Sequence, residues 1–130
     1  MLQQINRLAK IRDFNLLVKH GRFINGSFLS LKTLHLIDIK KYFPLKEDPD
    51  KFEAQLRIAF AVSTKISKSA VKRNRFRRQL REAIRLLIKE TKIDNGWYLL
   101  FIAKPGCLDN TYEDIKNQAV ELLSRTKALK

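Results

Sequence analysis

Apolar residues recur with helical spacing in three segments of the chain. Phe14, Leu17 and Val18 fall at i, i+3 and i+4, which predicts a helix from Ile11 to His20 that ends at Gly21. A long helix is predicted from about Ser69 to about Glu90, and a last helix from about Thr111 to Arg125, capped by Asn110 or Thr111. The residues predicted to be buried on the long helix are Phe76, Leu80, Ala83, Ile84 and Leu87, and those on the last helix are Ile115, Ala119, Leu122 and Leu123.

Between the helices the pattern changes to that of strands. Residues 28–37, which follow the turn signal Asn25-Gly26, are rich in apolar and β-branched side chains, and residues 97–103 are apolar on both faces, as in a buried strand. Residues 56–65 alternate, which predicts a strand with one core-facing side. The core-facing set is Leu56, Ile58, Phe60 and Val62, and the opposite set is Arg57, Ala59, Ala61, Ser63 and Lys65. The opposite set is small or polar, so it forms either the floor of a groove that ends at Lys65 or an ordinary solvent-facing side.

The order helix, strands, helix, strand, helix predicts a mixed α/β single domain with one central sheet. The 130 residues suit one domain, and no repeat or linker divides them. Residues 38–51 mix charged residues with Pro44 and Pro49, which predicts an exposed loop whose acids have no fixed geometry for a metal site.

The positive charge of the chain is concentrated in one segment. The formal net charge is +14, from 27 Lys and Arg against 13 Asp and Glu, and residues 65–92 alone hold eleven basic residues against two acidic ones. A directed field of this kind is typical of a protein that binds a polyanion. The alternative, a merely solvated helix face, is disfavoured by so uneven a run.

The long helix is predicted to bury one side and offer the other side to phosphates. Asn74, Arg78, Arg81, Arg85 and Lys89 recur nearly opposite the apolar stripe, with Arg73 and Arg77 at its boundary. The guanidinium group matches phosphate oxygens in geometry as well as in charge.

The sequence lacks the motifs of a self-contained enzyme. His20 and His35 have no partner at metal-ligand spacing, and the HExxH, GxSxG, P-loop and GxGxxG motifs are absent. Cys107 is the sole cysteine, which excludes an internal disulfide and a Cys-rich zinc site and fits a reducing cytoplasm. The apolar runs fall short of the ~20 residues of a membrane span. We therefore expect no catalytic residue, no metal ligand and no protein-held cofactor, and any reacting groups come from a partner.

Four sequence blocks, in order, resemble the bacterial ribonuclease P protein family. Residues 69–85, SAVKRNRFRRQLREAIR, resemble its RNR motif. Asn6-Arg7-Leu8, Asp13-Phe14 and Lys19-His20-Gly21 resemble its opening, and residues 61–65 resemble the strand before the RNR helix. Residues 102–105, followed by Thr111-Tyr112, resemble its closing strand and final helix. The resemblance covers about residues 6–125 of a single domain spanning 1–130.

The resemblance implies a fold similar to the second domain of ribosomal protein S5, with αβββαβα order and a left-handed crossover. It also implies one subunit of a ribonucleoprotein endoribonuclease that removes the 5′ leader of precursor tRNA and leaves a 5′ phosphate. The catalytic centre would belong to the ribonuclease P RNA, with Mg²⁺ bound mainly by that RNA. The partners would be this RNA and precursor tRNA, with no membrane and no obligate protein partner.

The resemblance further assigns roles to individual residues. Those expected to contact the RNA subunit are Lys72, Arg73, Asn74, Arg75, Arg77, Arg78, Arg81 and Arg85. Lys65 and Lys68 would line the approach, and the cleft for the single-stranded leader would contain Phe14, Val18, Leu31 and Ser63. Phe14 has a competing interpretation, because aromatic residues on a helix face usually belong to a core.

Some residues depart from the family pattern, and other functions compete with it. Val18 and Leu31 stand where aromatic residues are common, and Ala59 and Ser67 stand where glycines are common. A stand-alone RNA-binding or ribosomal protein explains the charge but not the ordered blocks. A DNA-binding protein would need a helix-turn-helix pair, whereas a strand is predicted before residue 70. A self-sufficient nuclease would need a carboxylate or histidine constellation.

Overall fold

The computed structural model describes residues 6–8, 11–36, 55–126 and 128, so the predicted loop at 38–51 lies outside the described residues. The elements are α1 (Ile11–His20), β1 (Arg22–Asn25), β2 (Leu29–His35), β3 (Leu56–Ala61), α2 (Ala70–Lys89), β4 (Trp97–Ala103) and α3 (Tyr112–Ser124). A short 3₁₀ helix, Cys107–Asp109, precedes α3. The αβββαβα order of a mixed α+β domain is confirmed. The pattern does not predict β1, because only Ile24 of its four residues is buried.

The four strands form one mixed sheet in the order β1-β2-β4-β3. The β1–β2 and β2–β4 pairs are antiparallel, whereas β3 and β4 are parallel, with Ile58 opposite Leu99. Helix α2 is therefore the crossover between two parallel neighbours, and its left-handed sense stays a prediction. Residues 6–8 run along the outer edge of β3, where the Leu8 N–H donates to the Ile58 carbonyl at 3.0 Å.

Helices cover the two faces of the sheet unequally. The larger core joins α2 and α3 to one face, through Phe76, Leu80 and Ile84 of α2 and Ile115 and Leu122 of α3. The core-facing residues of the sheet include Leu29, Leu31, Ile58, Leu99 and Phe101. On the other face Leu17 of α1 packs on a smaller cluster made by Leu34, Leu36, Tyr98 and Leu100. Within the described ranges, a single helix covers that face.

The helix ends follow the predicted capping chemistry. The Ser69 hydroxyl accepts a hydrogen bond from the Lys72 N–H at 3.3 Å, which begins α2 one residue later. Thr111 and Asp114 form a reciprocal capping box at the start of α3. At the end of α1, Gly21 is required because a Cβ there would lie 2.3 Å from the Leu17 carbonyl oxygen.

A buried polar pair fixes α1 on the sheet. Asp13 of α1 is 1 % exposed, and Tyr98 below it is also buried. The Tyr98 hydroxyl donates to Gln55 Oε1 at 3.0 Å. Burial, followed by the negative charge of Asp13, raises the pKa of Tyr98 above its ordinary value, so the phenol stays protonated. The pair therefore sets the position of α1, including its exposed side.

Candidate RNA-binding surfaces

The arginines of α2 divide into two rows. The inner row, Arg73, Arg77 and Arg81, is half-buried and recurs every four residues on the flank nearest β3. The Arg81 guanidinium lies 5.9 Å above the centre of the Phe60 ring of β3. The remaining basic residues, with Arg75 and Arg78 exposed, face solvent or the start of α3. Position on the helix therefore separates these arginines into two environments.

The outer arginines line an open cavity between α2 and α3. Arg75 and Arg78 border a space of about 400 Å³ together with Gln79, Glu82 and Tyr112. Among the described residues, no carboxylate pairs with Arg75 or Arg78. The Tyr112 hydroxyl is buried and has no hydrogen-bond partner within the described part of the chain. The surface therefore offers the guanidinium groups of Arg75 and Arg78 to a ligand.

Arg85 differs from its neighbours because it is already paired. Its Nη2 donates to Glu82 Oε1 at 2.6 Å and its Nε donates to Oε2 at 2.9 Å. This bidentate hydrogen bonding lowers the pKa of Glu82 to about 2, so the carboxylate stays charged at neutral pH. The prediction that Arg85 contacts RNA therefore requires this pair to open or to bind as a unit.

The other predicted residues of the basic segment lie at the exposed start of α2. Lys72 and Asn74 are exposed on the first turns, and the Asn74 side-chain oxygen accepts from Arg77 Nη1 at 2.8 Å. Lys65 and Lys68 are exposed in the connection before the helix. The prediction that Lys65 continues the groove-facing side of the strand is wrong, because β3 ends at Ala61 and the Lys65 N–H turns back to Ser63 Oγ.

The described residues cover only part of the face under α1. Helix α1 packs where β4 begins and β2 ends, through Tyr98, Leu100 and Leu34. At the other end of β3 and β4, the small residues Ala59 and Ala61 and the neighbouring Ile102 remain only partly buried. This region is the open half-face, and it ends beside Ser63, which is exposed just beyond β3.

Helix α1 also exposes apolar side chains to solvent. Phe14 is 39 % exposed and Val18 is 46 % exposed, on the same stripe as Ile11. The buried side of α1 is formed instead by Asp13 and Leu17. The interpretation of Phe14 as an ordinary core residue is therefore wrong.

One predicted cleft residue lies on the wrong face. Leu31 is fully buried in the core beneath α2 and α3, so its assignment to the leader cleft is wrong. Because strand side chains alternate, its neighbour Lys32 lies on the α1 face. Lys32 Nζ donates to the carbonyl of Val18 at 2.5 Å. The alternation Leu29, Leu31 was the sequence signal that could have identified Lys32.

The described residues show neither a metal-binding group nor a membrane-spanning helix. Within residues 6–8, 11–36, 55–126 and 128, no three His, Cys, Asp or Glu side chains group together as possible ligands of a metal ion. In the same ranges, no helix has the length and apolar character needed to cross a membrane.

Comparisons with known proteins agree with the fold. The chain is 33% identical to the ribonuclease P protein component of Microcystis aeruginosa over 128 residues, which cover 98% of this chain and 96% of that protein. It is 34% identical to the component from Clostridioides difficile over 119 residues, or 92% and 90% of the two chains. The solved RNase P protein of Staphylococcus aureus has a TM-score of 0.72 at 22% identity, covering 96% of this chain and 98% of that one.

The family assignment rests on nearly the whole chain rather than on the α2 motif. The family model described as Ribonuclease P matches residues 2–127. The solved RNase P protein of Thermotoga maritima also shares the fold, with a TM-score of 0.69 at 20% identity over 94% of this chain and 98% of that one. The chain therefore belongs to the ribonuclease P protein family, whose members are subunits of an endoribonuclease.

Proposed function

We propose that this chain binds the RNA subunit of ribonuclease P through α2 and the 5′ leader of precursor tRNA through the open half-face. The observation that carries the proposal is the pair Arg75 and Arg78, which are exposed and have no carboxylate partner among the described residues. An unneutralised cationic surface of this kind gains free energy from phosphates, because binding releases the counterions condensed on RNA.

Helix α2 is well built for docking on a rigid RNA. Its apolar side is locked into the core by Phe76, Leu80 and Ile84, which are at most 2 % exposed. The arginines therefore project from a fixed backbone, and little backbone entropy is lost when they meet phosphates. Lys65 and Lys68 extend the same positive surface toward the end of β3, where the open half-face begins.

The open half-face suits a single strand better than a duplex. Phe14 and Val18 offer apolar contact to an unstacked base, and Ala59 and Ala61 leave room below. Lys32 supplies a positive charge at this face, and Ser63 supplies a hydroxyl at its end. With one aromatic residue on the exposed stripe of α1, stacking would involve few bases, and the phosphates would provide the rest of the affinity.

Catalysis in this proposal belongs to the RNA. The Mg²⁺ ions that would activate water for phosphodiester hydrolysis are assigned to the RNA partner. The described residues group no three metal-ligand side chains, and the arginine surface repels cations. This chain would orient the RNA subunit and the leader, and the product would be mature tRNA with a 5′ phosphate. A cytoplasmic location, favoured by the single buried thiol, belongs to the same proposal.

Reconstitution tests the proposal. The protein is mixed with a bacterial ribonuclease P RNA and precursor tRNA at low magnesium concentration, and cleavage is followed on a gel. We expect cleavage that requires both macromolecules, and none from the protein alone. RNA binding without any effect on cleavage would indicate the alternative, a stand-alone RNA-binding or ribosomal protein. Cleavage by the protein alone would refute the subunit assignment.

A further inference from the structure

A second cavity lies at the outer edge of β3, on the opposite flank of α2 from Tyr112. This edge pocket has a volume of about 280 Å³ and is bordered by Arg7, Leu8, Ile58, Ala59, Phe60, Arg77 and Arg81. It therefore joins three elements: the segment 6–8, the strand β3 and the inner arginine row of α2. Its size is close to the lower limit of ~300 Å³ for small-molecule pockets, which suits one small planar ligand.

The wall of the edge pocket is a stack of planar groups. The Phe60 ring stacks on Phe101 of the buried strand β4, with ring centres 6.0 Å apart and planes 16° apart. The Arg81 guanidinium lies over the Phe60 ring, 5.9 Å from its centre, which is a cation–π contact. Phe101 is fully buried, so the stack is anchored in the core and ends at the cavity. A further planar group could extend the stack at Arg81.

The electrostatics of the edge pocket favour an anion. Burial, and then the like charges of Arg7 and Arg77, lower the pKa of Arg81 from its ordinary value. The described residues that border the cavity include three arginines and no carboxylate. The like charges of Arg77 and Arg81 repel each other, and a phosphate between them would lower that repulsion.

We propose that the edge pocket binds one unpaired nucleotide of RNA, with its phosphate between Arg77 and Arg81 and its base stacked on the Arg81 guanidinium. The proposal rests on the proposed function in taking RNA as the partner. It goes beyond that function by adding Arg7 and Phe60 to the binding residues and by assigning base stacking, rather than charge alone, to Arg81. The nucleotide could come from the RNA subunit or from the precursor, since both supply the same chemistry.

An NMR titration of the whole chain with single-stranded pentauridylate tests the pocket directly. We expect the Arg81 Nε–H signal and the Phe60 amide signal to shift together and to saturate together. Arg81→Lys keeps the charge but removes the planar platform, so it should weaken binding roughly tenfold. Arg22→Lys is the matched control, because Arg22 is exposed on β1 at the opposite edge of the sheet, and it should have no effect.

Two results would overturn the edge pocket. One is saturation elsewhere on the protein while the Phe60 and Arg81 signals stay still. The other is equal affinity for the Arg81→Lys and Arg22→Lys proteins. Phe60→Leu, which keeps the apolar wall but ends the stack, provides a second test that does not depend on Arg81, and it should also weaken binding.

The reconstituted enzyme identifies the source of the nucleotide. If Arg81→Lys weakens binding to the RNA subunit alone, the nucleotide belongs to that RNA. If it weakens binding of precursor but not mature tRNA to the assembled enzyme, the nucleotide belongs to the leader. Normal cleavage with no loss in either assay would reject the edge pocket while leaving the proposed function intact. Failure of the unsubstituted protein to support cleavage would reject the proposed function.

Discussion

Removing the two exposed arginines of the outer cavity should change how RNA binding depends on salt. Arg75→Ala with Arg78→Ala deletes two charges that have no described acidic partner. Each phosphate contact contributes about 0.7 to 0.9 to the slope of log affinity against log salt. Losing two contacts should therefore lower the steepness of that slope by about 1.4 to 1.8.

The slope translates into a measurable difference between two salt concentrations. The unsubstituted protein should bind the RNA subunit more tightly than the double variant, and this ratio of affinities should fall by roughly 7- to 12-fold between about 50 mM and about 200 mM salt. The assay is filter binding or fluorescence anisotropy with labelled RNA subunit across that range. Because both side chains are exposed, the free energy of unfolding should remain unchanged. Denaturation followed by circular dichroism checks this.

The control removes the same charge from other surfaces. Lys19 on α1 and Lys92 beyond α2 are both exposed, so Lys19→Ala with Lys92→Ala matches the loss of two charges. For the RNA subunit, this control variant should keep nearly the salt dependence of the unsubstituted protein. If the slope of log affinity against log salt falls by the same amount in both double variants, the effect comes from net charge. The assignment of the outer arginines as an interface is then refuted.

Five further predictions concern other residues of the chain. Glu82→Gln should release Arg85 and tighten binding to the RNA subunit by about two- to fivefold; weaker binding would mean that the pair acts as a unit. Because the pKa of Glu82 is lowered to about 2 from an ordinary 4.5, its contribution to stability is present above pH 4.5 and lost as the pH falls toward 2, so acid unfolding of Glu82→Gln should lack this loss. Leu31→Ala should destabilise the fold by about 2–5 kcal/mol in urea unfolding, whereas Lys32→Ala should cost less and selectively weaken precursor binding; the reverse would show that the strand faces are misassigned. Phe14→Ala should weaken precursor binding by about 1–3 kcal/mol and leave mature tRNA binding unchanged; equal loss for both RNAs would dismiss the cleft. Burial raises the pKa of the Cys107 thiol, so a disulfide reagent should react slowly with the native protein and rapidly in denaturant; fast native reaction would contradict that burial.

The elements with strong periodicity are predictable from the sequence. Helix α2 begins at Ala70 and ends at Lys89, within one residue of the predicted bounds, because Ser69 and the apolar stripe both act locally. The alternation Leu56, Ile58, Phe60 likewise predicts correctly which side of β3 meets the core. In both cases the signal depends on residues that are close in sequence.

The details of the site depend on packing that the sequence does not display. Leu31 is assigned to the wrong face because both faces of β2 are covered: Leu29 and Leu31 meet one core and Leu34 meets the other, so an apolar residue alone does not reveal which face it joins. The division of the arginines into two rows depends on where β3 and α3 lie beside α2. The edge pocket needs residues 6–8, β3 and α2 to meet, although they are far apart in sequence.

Site-directed cleavage of RNA gives the most direct test that α2 docks on the RNA subunit. An iron chelate that generates hydroxyl radicals is attached to Asn74→Cys on α2 or to Asn15→Cys on α1, both exposed and on opposite sides of the sheet. Buried Cys107 should remain unlabelled. We expect discrete cuts in the RNA subunit from position 74 and few or none from position 15. Cuts from position 15 alone, or equally diffuse cuts from both, would contradict it.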